Sequence, residues 1–331
     1  MNGRVLITGG AGFIGMHLAR CLLAADYKVT LVDNHARGIR DQDFEELISA
    51  SAVSFSEVDL LNLDSVCALG SSFCAIFHLA AIIGVSHVTK RPYEVLVQNT
   101  RMLENVLTLA RDQRDFSRFL FASTSEVYAG TLQYFGMPIP TPENTPLAMT
   151  ALDEPRTSYM ISKIMGEAMC QQSGLPFTIF RPHNVYGPRM GMAHVIPEQL
   201  RKAWESSPGD TVPVYSVDHR RTFCFIDDAV EMLKRMLEVD SVEGMVLNLG
   251  VSSPEVTIGE LARMCFQVVG KQLEIRSLAP TTGSPERRAP DMSTVARLLN
   301  YESKVSLKDG VERTWTWYRS NIFEGGGSTA R

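Results

Sequence analysis

The 331-residue chain has little of what marks several classes of protein. Its six cysteines (Cys21, Cys67, Cys74, Cys170, Cys224 and Cys265) are dispersed and form no CxxC pair, so no redox couple and no metal site is expected. No stretch approaches the roughly 18 consecutive apolar residues of a membrane span. The start also lacks the basic segment, long apolar run and cleavage site of a signal peptide. These absences predict no membrane partner and a cytoplasmic setting. Positive charge is short as well: the net charge is -5, the pI is near 5.9, and Lys and Arg are scattered. That balance offers no electrostatic footprint for nucleic acid. There is no internal repeat, and the one low-complexity tract is Glu324-Gly325-Gly326-Gly327-Ser328-Thr329, from which 323–331 reads as a flexible tail.

What the chain does have is apolar substance in a regular rhythm. A hydrophobic fraction of 45% supports a sizeable core, and the length exceeds one core's usual size, which favours a large α/β domain with a smaller lobe. From Arg4 to about Arg181, apolar runs alternate with helix-like segments: Val5-Leu6-Ile7, Val29–Val32, Ala75-Ile76-Phe77, Phe119-Leu120-Phe121 and Phe177–Phe180. Continuous apolar strands separated by helices indicate a parallel sheet covered on both faces. Residues 1–182 are therefore read as a doubly wound cofactor domain and 183–322 as mainly a substrate-binding lobe. Within the second part, 226–238, 257–269 and 307–318 read as helices, and 245–249 as a strand returning to the sheet.

The strongest motif is Thr8-Gly9-Gly10-Ala11-Gly12-Phe13-Ile14-Gly15, where the first strand gives way to a helix. Gly9, Gly12 and Gly15 suit a tight turn, close backbone approach to a pyrophosphate, and tight packing of helix on sheet, with Phe13 and Ile14 opening the helix. Asp33, followed by Asn34, ends the second strand at the offset where a carboxylate accepts the adenosine ribose hydroxyls. That carboxylate would repel a 2'-phosphate, so NAD is expected rather than NADP, with Arg37 the feature that points the other way. Asp59-Leu60 reads equally as an adenine-framing pair or as an ordinary strand end.

Tyr159-Met160-Ile161-Ser162-Lys163 places a phenol and an ammonium at i and i+4 on one helix face. Oxidising a sugar hydroxyl requires a base for its proton, and a nearby ammonium and a nicotinamide cation are expected to bring the phenol toward working pH. Lys163 is also expected to hydrogen-bond the nicotinamide ribose. Ser123-Thr124-Ser125-Glu126-Val127-Tyr128 follows another strand end, where hydroxyls and a carboxylate reach a bound sugar or simply cap a turn.

These motifs, with His78-Leu79-Ala80-Ala81, Arg181-Pro182-His183-Asn184-Val185-Tyr186-Gly187-Pro188-Arg189, Arg221-Thr222-Phe223-Cys224-Phe225-Ile226-Asp227-Asp228 and Arg287-Arg288-Ala289-Pro290-Asp291, resemble the extended short-chain dehydrogenase/reductases. More narrowly, they resemble the NAD-dependent epimerase/dehydratase group acting on nucleotide-sugars. The resemblance implies a Rossmann-type fold, bound NAD, a nucleotide-diphosphate sugar as partner and a homodimer built through two helices. It implies that Thr124 holds the reacting hydroxyl, Tyr159 takes its proton and Lys163 supports Tyr159. Leu79, Ala80 and Ala81 would line the cofactor, Gly84 and Val85 would approach the sugar, and Asn184, Arg221 and Arg288 would hold the nucleotide diphosphate or base. Ser125 stands where 4,6-dehydratases of this group carry an acid, while the Thr-Ser-Glu pattern resembles UDP-glucuronate decarboxylases. The reading adopted is a nucleotide-sugar epimerase, with decarboxylation and then 4,6-dehydration behind it and a non-catalytic NAD-binding scaffold last. His183 and His194 are read as extra acids or bases or as structural residues.

Overall fold

Seven apolar segments form the strands β1 (Arg4–Thr8), β2 (Lys28–Asp33), β3 (Val53–Glu57), β4 (Phe73–His78), β5 (Arg118–Ala122), β6 (Phe177–Pro182) and β7 (Met245–Leu249). In the computed structural model, residues 2–280 and 284–325 are described, apart from the side chains of Val85 and Ser86. The strands pair in parallel in the order β7-β6-β5-β4-β1-β2-β3. Successive residues face opposite sides of a strand. Val5 and Ile7 accordingly enter one core with Leu18, Leu22 and Leu120, whereas Leu6 enters the other with Ile76, Leu103, Phe119 and Phe121. Both faces are covered, so the inner strands are largely apolar runs, whereas the edge strand β3, Val-Ser-Phe-Ser-Glu, alternates and is only partly buried.

Helix α1 (Phe13–Ala24) covers the first face, and α2 (Pro92–Arg111) and α3 (Thr157–Gln171) cover the second. Strand order reverses between β1 and β4, which opens a crevice at their carboxyl ends, where ligands gather in this architecture. The fold is the expected Rossmann-type doubly wound sheet.

The second half contributes more to this sheet than the returning strand. Helix α4 (Ile226–Glu238) buries Ile226, Ala229, Leu233 and Met236 in the same core as Leu18 and Leu22, because its apolar stripe matches that of α1. The appended lobe is built on the parallel pair Thr211–Tyr215 and Glu274–Leu278 and on the helices Val195–Glu205, Ile258–Val269 and α5 (Leu307–Tyr318). Phe323, placed in the flexible tail from sequence, instead stacks on Trp204 with ring centroids 6.1 Å apart, and Glu324 pairs with Arg319. Residues 326–331 lie outside the described residues. Among the described residues, no helix is long and apolar enough to cross a membrane.

Candidate active site

The turn after β1 is shaped by what a side chain would strike. Gly9 has φ +71°, and a Cβ there would lie 3.0 Å from the Ala80 nitrogen. One on Gly15 would lie 2.4 Å from the Gly9 carbonyl oxygen, so this glycine sets how closely α1 packs on the turn. Gly12 is the N-cap of α1 and has no side chain to cap it, and the first turn carries no acidic residue. The first N–H groups of the helix and its positive end are thus left for an anion, and a dinucleotide pyrophosphate fits that cradle.

Asp33 is held rigidly beside it. Its Oδ2 accepts from the Ala11 N–H (3.1 Å) and its Oδ1 from the His35 N–H (2.8 Å). Each oxygen retains acceptor capacity for a ribose hydroxyl. A Cβ on Gly38 would come within 2.9 Å of Asp33 Oδ1, which makes Gly38 part of this wall although no sequence signal singled it out. We expect Asp33→Ala to weaken NAD binding roughly 10- to 100-fold while leaving nucleotide-sugar affinity within about twofold. Titration of each ligand checks this, and unchanged NAD affinity would remove the ribose role.

The other residues expected at the cofactor take distinct places. Asn34 Oδ1 accepts from the Ala36 N–H, and the exposed Asp59 accepts from the Leu61 N–H, so both side chains close local turns. Leu60 is buried, its carbonyl tied to Asn105. The Leu79 N–H donates to the Thr8 carbonyl and the Ala80 N–H to the Thr8 hydroxyl, which brings the Leu79–Ala81 segment against the glycine turn. Gly84 has φ +102° and opens the helix Val85–Lys90, and the side chain of Val85 lies outside the described ones.

Arg189, quoted in a motif but given no role from sequence, binds this region across 148 to 178 positions of chain. It donates to the Ala11 carbonyl (2.9 Å), to the Ile39 carbonyl (2.6 Å) and to Asp41 (2.7 Å). No local pattern could have revealed that strap.

Helix α3 sets Tyr159 and Lys163 one turn apart, and Tyr159 is hydrogen-bonded to Thr124. Thr124 also accepts from the Glu126 N–H at 3.2 Å, which fixes the turn Ser125–Tyr128. The Tyr159 phenol is pushed well above its ordinary range, first by burial and then by the Glu126 carboxylate, against smaller opposing effects of Thr124 and Arg37. The Lys163 ammonium donates to the Ala122 carbonyl at 2.7 Å and lies 5.9 Å from the centre of the Tyr159 ring. Burial in turn pushes Lys163 down to about 8. The ammonium sits 4.9 Å over the Phe121 ring, which reaches that position only because residue 166 is glycine: a Cβ there would lie 2.4 Å from Phe121.

One turn beyond Lys163, Glu167 grips Arg181 of β6 through Nε (2.9 Å) and Nη2 (2.7 Å), both side chains being 4% exposed. Ser123 also donates to Glu167, and Arg181 reaches the Tyr128 hydroxyl at 2.7 Å. This buried network locks the helix carrying Tyr159 to the sheet that carries Thr124. Breaking such a pair on one side leaves a buried charge uncompensated.

The arginines expected at the substrate are brought together by a small sheet. Arg220–Arg221 pairs in parallel with Arg287–Arg288, in register Arg288 with Arg221, and antiparallel with Val256–Thr257. Arg221 is 5% exposed, so it is not the solvated surface residue its type suggests. Its guanidinium donates to the carbonyls of Arg220, Pro285 and Glu286 and to Ser284; burial and the Arg288 charge push it down to about 10. Arg288 donates to Ser125 Oγ (3.3 Å) and Asn184 Oδ1 (3.5 Å), and its buried Nε has no hydrogen-bond partner among the described residues. Asn184, at φ +43°, is anchored by its Nδ2 donating to the Thr222 carbonyl. Two adjacent cations held by carbonyls and hydroxyls suit an anionic ligand such as a diphosphate.

His183 is buried against Tyr128, shares a 3.1 Å hydrogen bond with Asn248, and is pushed down to about 3 by burial and by Arg288. Its ring is neutral at working pH, and its buried Nδ1 has no hydrogen-bond partner among the described residues. His194 is exposed and opens the helix Val195–Glu205. Among the described residues, no group of three His, Cys, Asp or Glu side chains could hold a metal ion.

Residues 5–250 match the model of the NAD dependent epimerase/dehydratase family. The chain belongs to that family. It is 33% identical to a UDP-N-acetyl-alpha-D-glucosaminuronate decarboxylase of Bacillus cytotoxicus, over 96% of this chain and 98% of that one. It is 32% identical to UDP-glucuronic acid decarboxylase 1 of Xenopus tropicalis, over 96% of this chain and 73% of the relative. Among solved structures, a dTDP-glucose 4,6-dehydratase from Streptomyces venezuelae with NAD bound superposes with a TM-score of 0.84 at 26% identity, covering 99% of this chain and all of that one. The family member described here is an NAD-dependent enzyme, and the scaffold reading falls.

Proposed function

We propose that the protein decarboxylates a UDP-linked hexuronic acid through a transient 4-keto sugar. The observation that carries this reading is the Arg288 guanidinium 3.3 Å from Ser125, between Glu126 and Asn184, on the reacting side of the cleft. The whole-length similarity to two UDP-uronate decarboxylases supports it. It reverses the order adopted from sequence, where epimerisation stood first. Elimination has less support, because Ser125 supplies no acid for a departing C6 hydroxyl.

In this reading Thr124 orients the C4 hydroxyl and Tyr159 accepts its proton, and the raised phenol returns that proton once the ketone is reduced. Bound NAD supplies the reversible hydride acceptor. Lys163 holds the Ala122 carbonyl at the floor of the site and positions the nicotinamide ribose. A ketone at C4 makes the C5 carboxylate a β-keto acid anion, so the C5–C6 electron pair flows into the ketone as carbon dioxide leaves. C5 then takes one proton from solvent beside Ser125 and Glu126. Asn184 and Arg221 hold the diphosphate.

Tyr93 and Val97 on α2 and Met165 on α3 are exposed apolar side chains, which suits the expected homodimer. Six free cysteines suit a reducing compartment such as the cytoplasm.

Incubating the NAD-loaded protein with UDP-glucuronate and with UDP-N-acetylglucosaminuronate in deuterated water is expected to release carbon dioxide and leave a UDP-pentose carrying one deuterium at C5. A C4 epimer formed without carbon dioxide would restore the epimerase reading.

A further inference from the structure

Arg37, which in the sequence pointed toward NADP, takes a different place in the fold. Its guanidinium is not spent on the nearby Asp33 carboxylate, which takes its hydrogen bonds from the Ala11 and His35 N–H groups. Arg37 Nη1 donates instead to the Ile83 carbonyl at 3.2 Å, joining the segment after β2 to the segment after β4. Strand β1 runs between those two strands, and the glycine turn follows it. On one side of that turn a Cβ on Gly38 would come within 2.7 Å of the Ala11 Cβ; on the other, a Cβ on Gly9 would lie 3.0 Å from the Ala80 nitrogen. The exposed Arg37 side chain therefore spans the crevice above the N–H groups of the pyrophosphate cradle. Its charge is felt at Tyr159 on α3 and at His194 on the lobe.

Both ends of this span are fixed. Arg189 holds the near end through the Ile39 carbonyl (2.6 Å) and Asp41 (2.7 Å). At the far end the Ile82 N–H donates to Asn99 Oδ1 (2.7 Å), and its carbonyl accepts from Asn99 Nδ2 (3.1 Å), with Asn99 buried on α2. A rigid base and a rigid catch are thus joined across the crevice by one exposed hydrogen bond.

We propose that Arg37 is a latch on the cofactor cleft, one that swings aside for NAD to enter, closes over its pyrophosphate and sets how slowly it leaves. A guanidinium there faces the diphosphate from the side opposite the helix N-terminus, and its fork suits phosphate oxygens. Opening costs the single bond to Ile83 in the free chain, but the phosphate contacts as well once the dinucleotide is bound, so the latch acts on release rather than entry. The inference is independent of which sugar reaction the enzyme runs.

The test follows exchange of isotopically labelled NAD, bound to the wild-type, Arg37→Ala and Arg37→Lys proteins, against an excess of unlabelled NAD. Arg37→Ala is expected to speed release roughly 10- to 100-fold, with an association rate no slower than wild type and a melting temperature without cofactor close to wild type. Arg37→Lys is expected to recover part of the delay. Wild-type release is expected to quicken with rising salt, and that of Arg37→Ala to respond less. Unchanged release, or weaker binding caused by slower association, overturns the latch. A loss confined to NADP affinity, with NAD release unaltered, also overturns it and makes Arg37 a reader of the 2'-phosphate.

Discussion

Tyr159→Phe is expected to lower turnover by about 10²–10⁴-fold, the usual contribution of a positioned acid or base, while NAD affinity and melting temperature stay close to wild type. The substitution removes one hydroxyl, whose partner Thr124 keeps its second hydrogen bond from the Glu126 N–H. Because burial and Glu126 hold the phenol above its ordinary value, the protein alone keeps Tyr159 protonated at neutral pH. Proton removal from the sugar is thus expected to be seen only with NAD bound. Single-turnover measurement of NADH formation, paired with a thermal melt, checks both parts. Loss of cofactor and fold together would mean that the hydroxyl is structural.

Lys163→Met is expected to do the opposite to stability and the same to activity. An ammonium whose pKa falls from 10.5 to about 8 on burial destabilises the folded state by about 3 kcal/mol at neutral pH, at 1.36 kcal/mol for each pH unit. The lost hydrogen bond to Ala122 returns about 1 kcal/mol of that. The variant is therefore expected to gain on the order of 2 kcal/mol, seen as a higher urea midpoint without cofactor, and to lose turnover. The sign also fixes a pH dependence. Below about 8 the lysine is charged in both folded and unfolded chains and the full penalty applies. Between about 8 and 10.5 the folded form is already neutral, so the stability gap between variant and wild type shrinks as pH rises, closes before that range ends, and then reverses by up to the roughly 1 kcal/mol of the lost hydrogen bond. A gap that stays constant from pH 7 to 10 would show that the ammonium is not strained. Stability given up at a catalytic group is a common trade.

Much of the fold was legible because its signals are local. Strand β1, the glycine turn and Asp33 fall within 30 residues, and each obeys a period or spacing that the chain carries in one dimension. The Tyr159/Lys163 pair was visible for the same reason, since a helix turns i and i+4 onto one face. That spacing did not show what else surrounds the phenol. The ammonium donates to a carbonyl of β5, and the Glu126 carboxylate acts on the phenol from another segment. Arg37 read only as a pointer to NADP, because a lone arginine after a strand carries no further signal until its partner across the cleft, the Ile83 carbonyl, is known.

Sequence by itself determined the class of chemistry: a dinucleotide cradle, a carboxylate closing the second strand, and a phenol on a helix with hydroxyls at a strand end. Those features depend on backbone spacing and residue type, which folding does not alter. Only the tertiary structure decided the electrostatics of the reacting centre, namely that Glu126 acts on the Tyr159 phenol, that Arg221 and Arg288 lie in register, and that Arg189 ties the second half to the glycine turn. Charges act through distance and burial, and both are set where segments far apart in the chain meet.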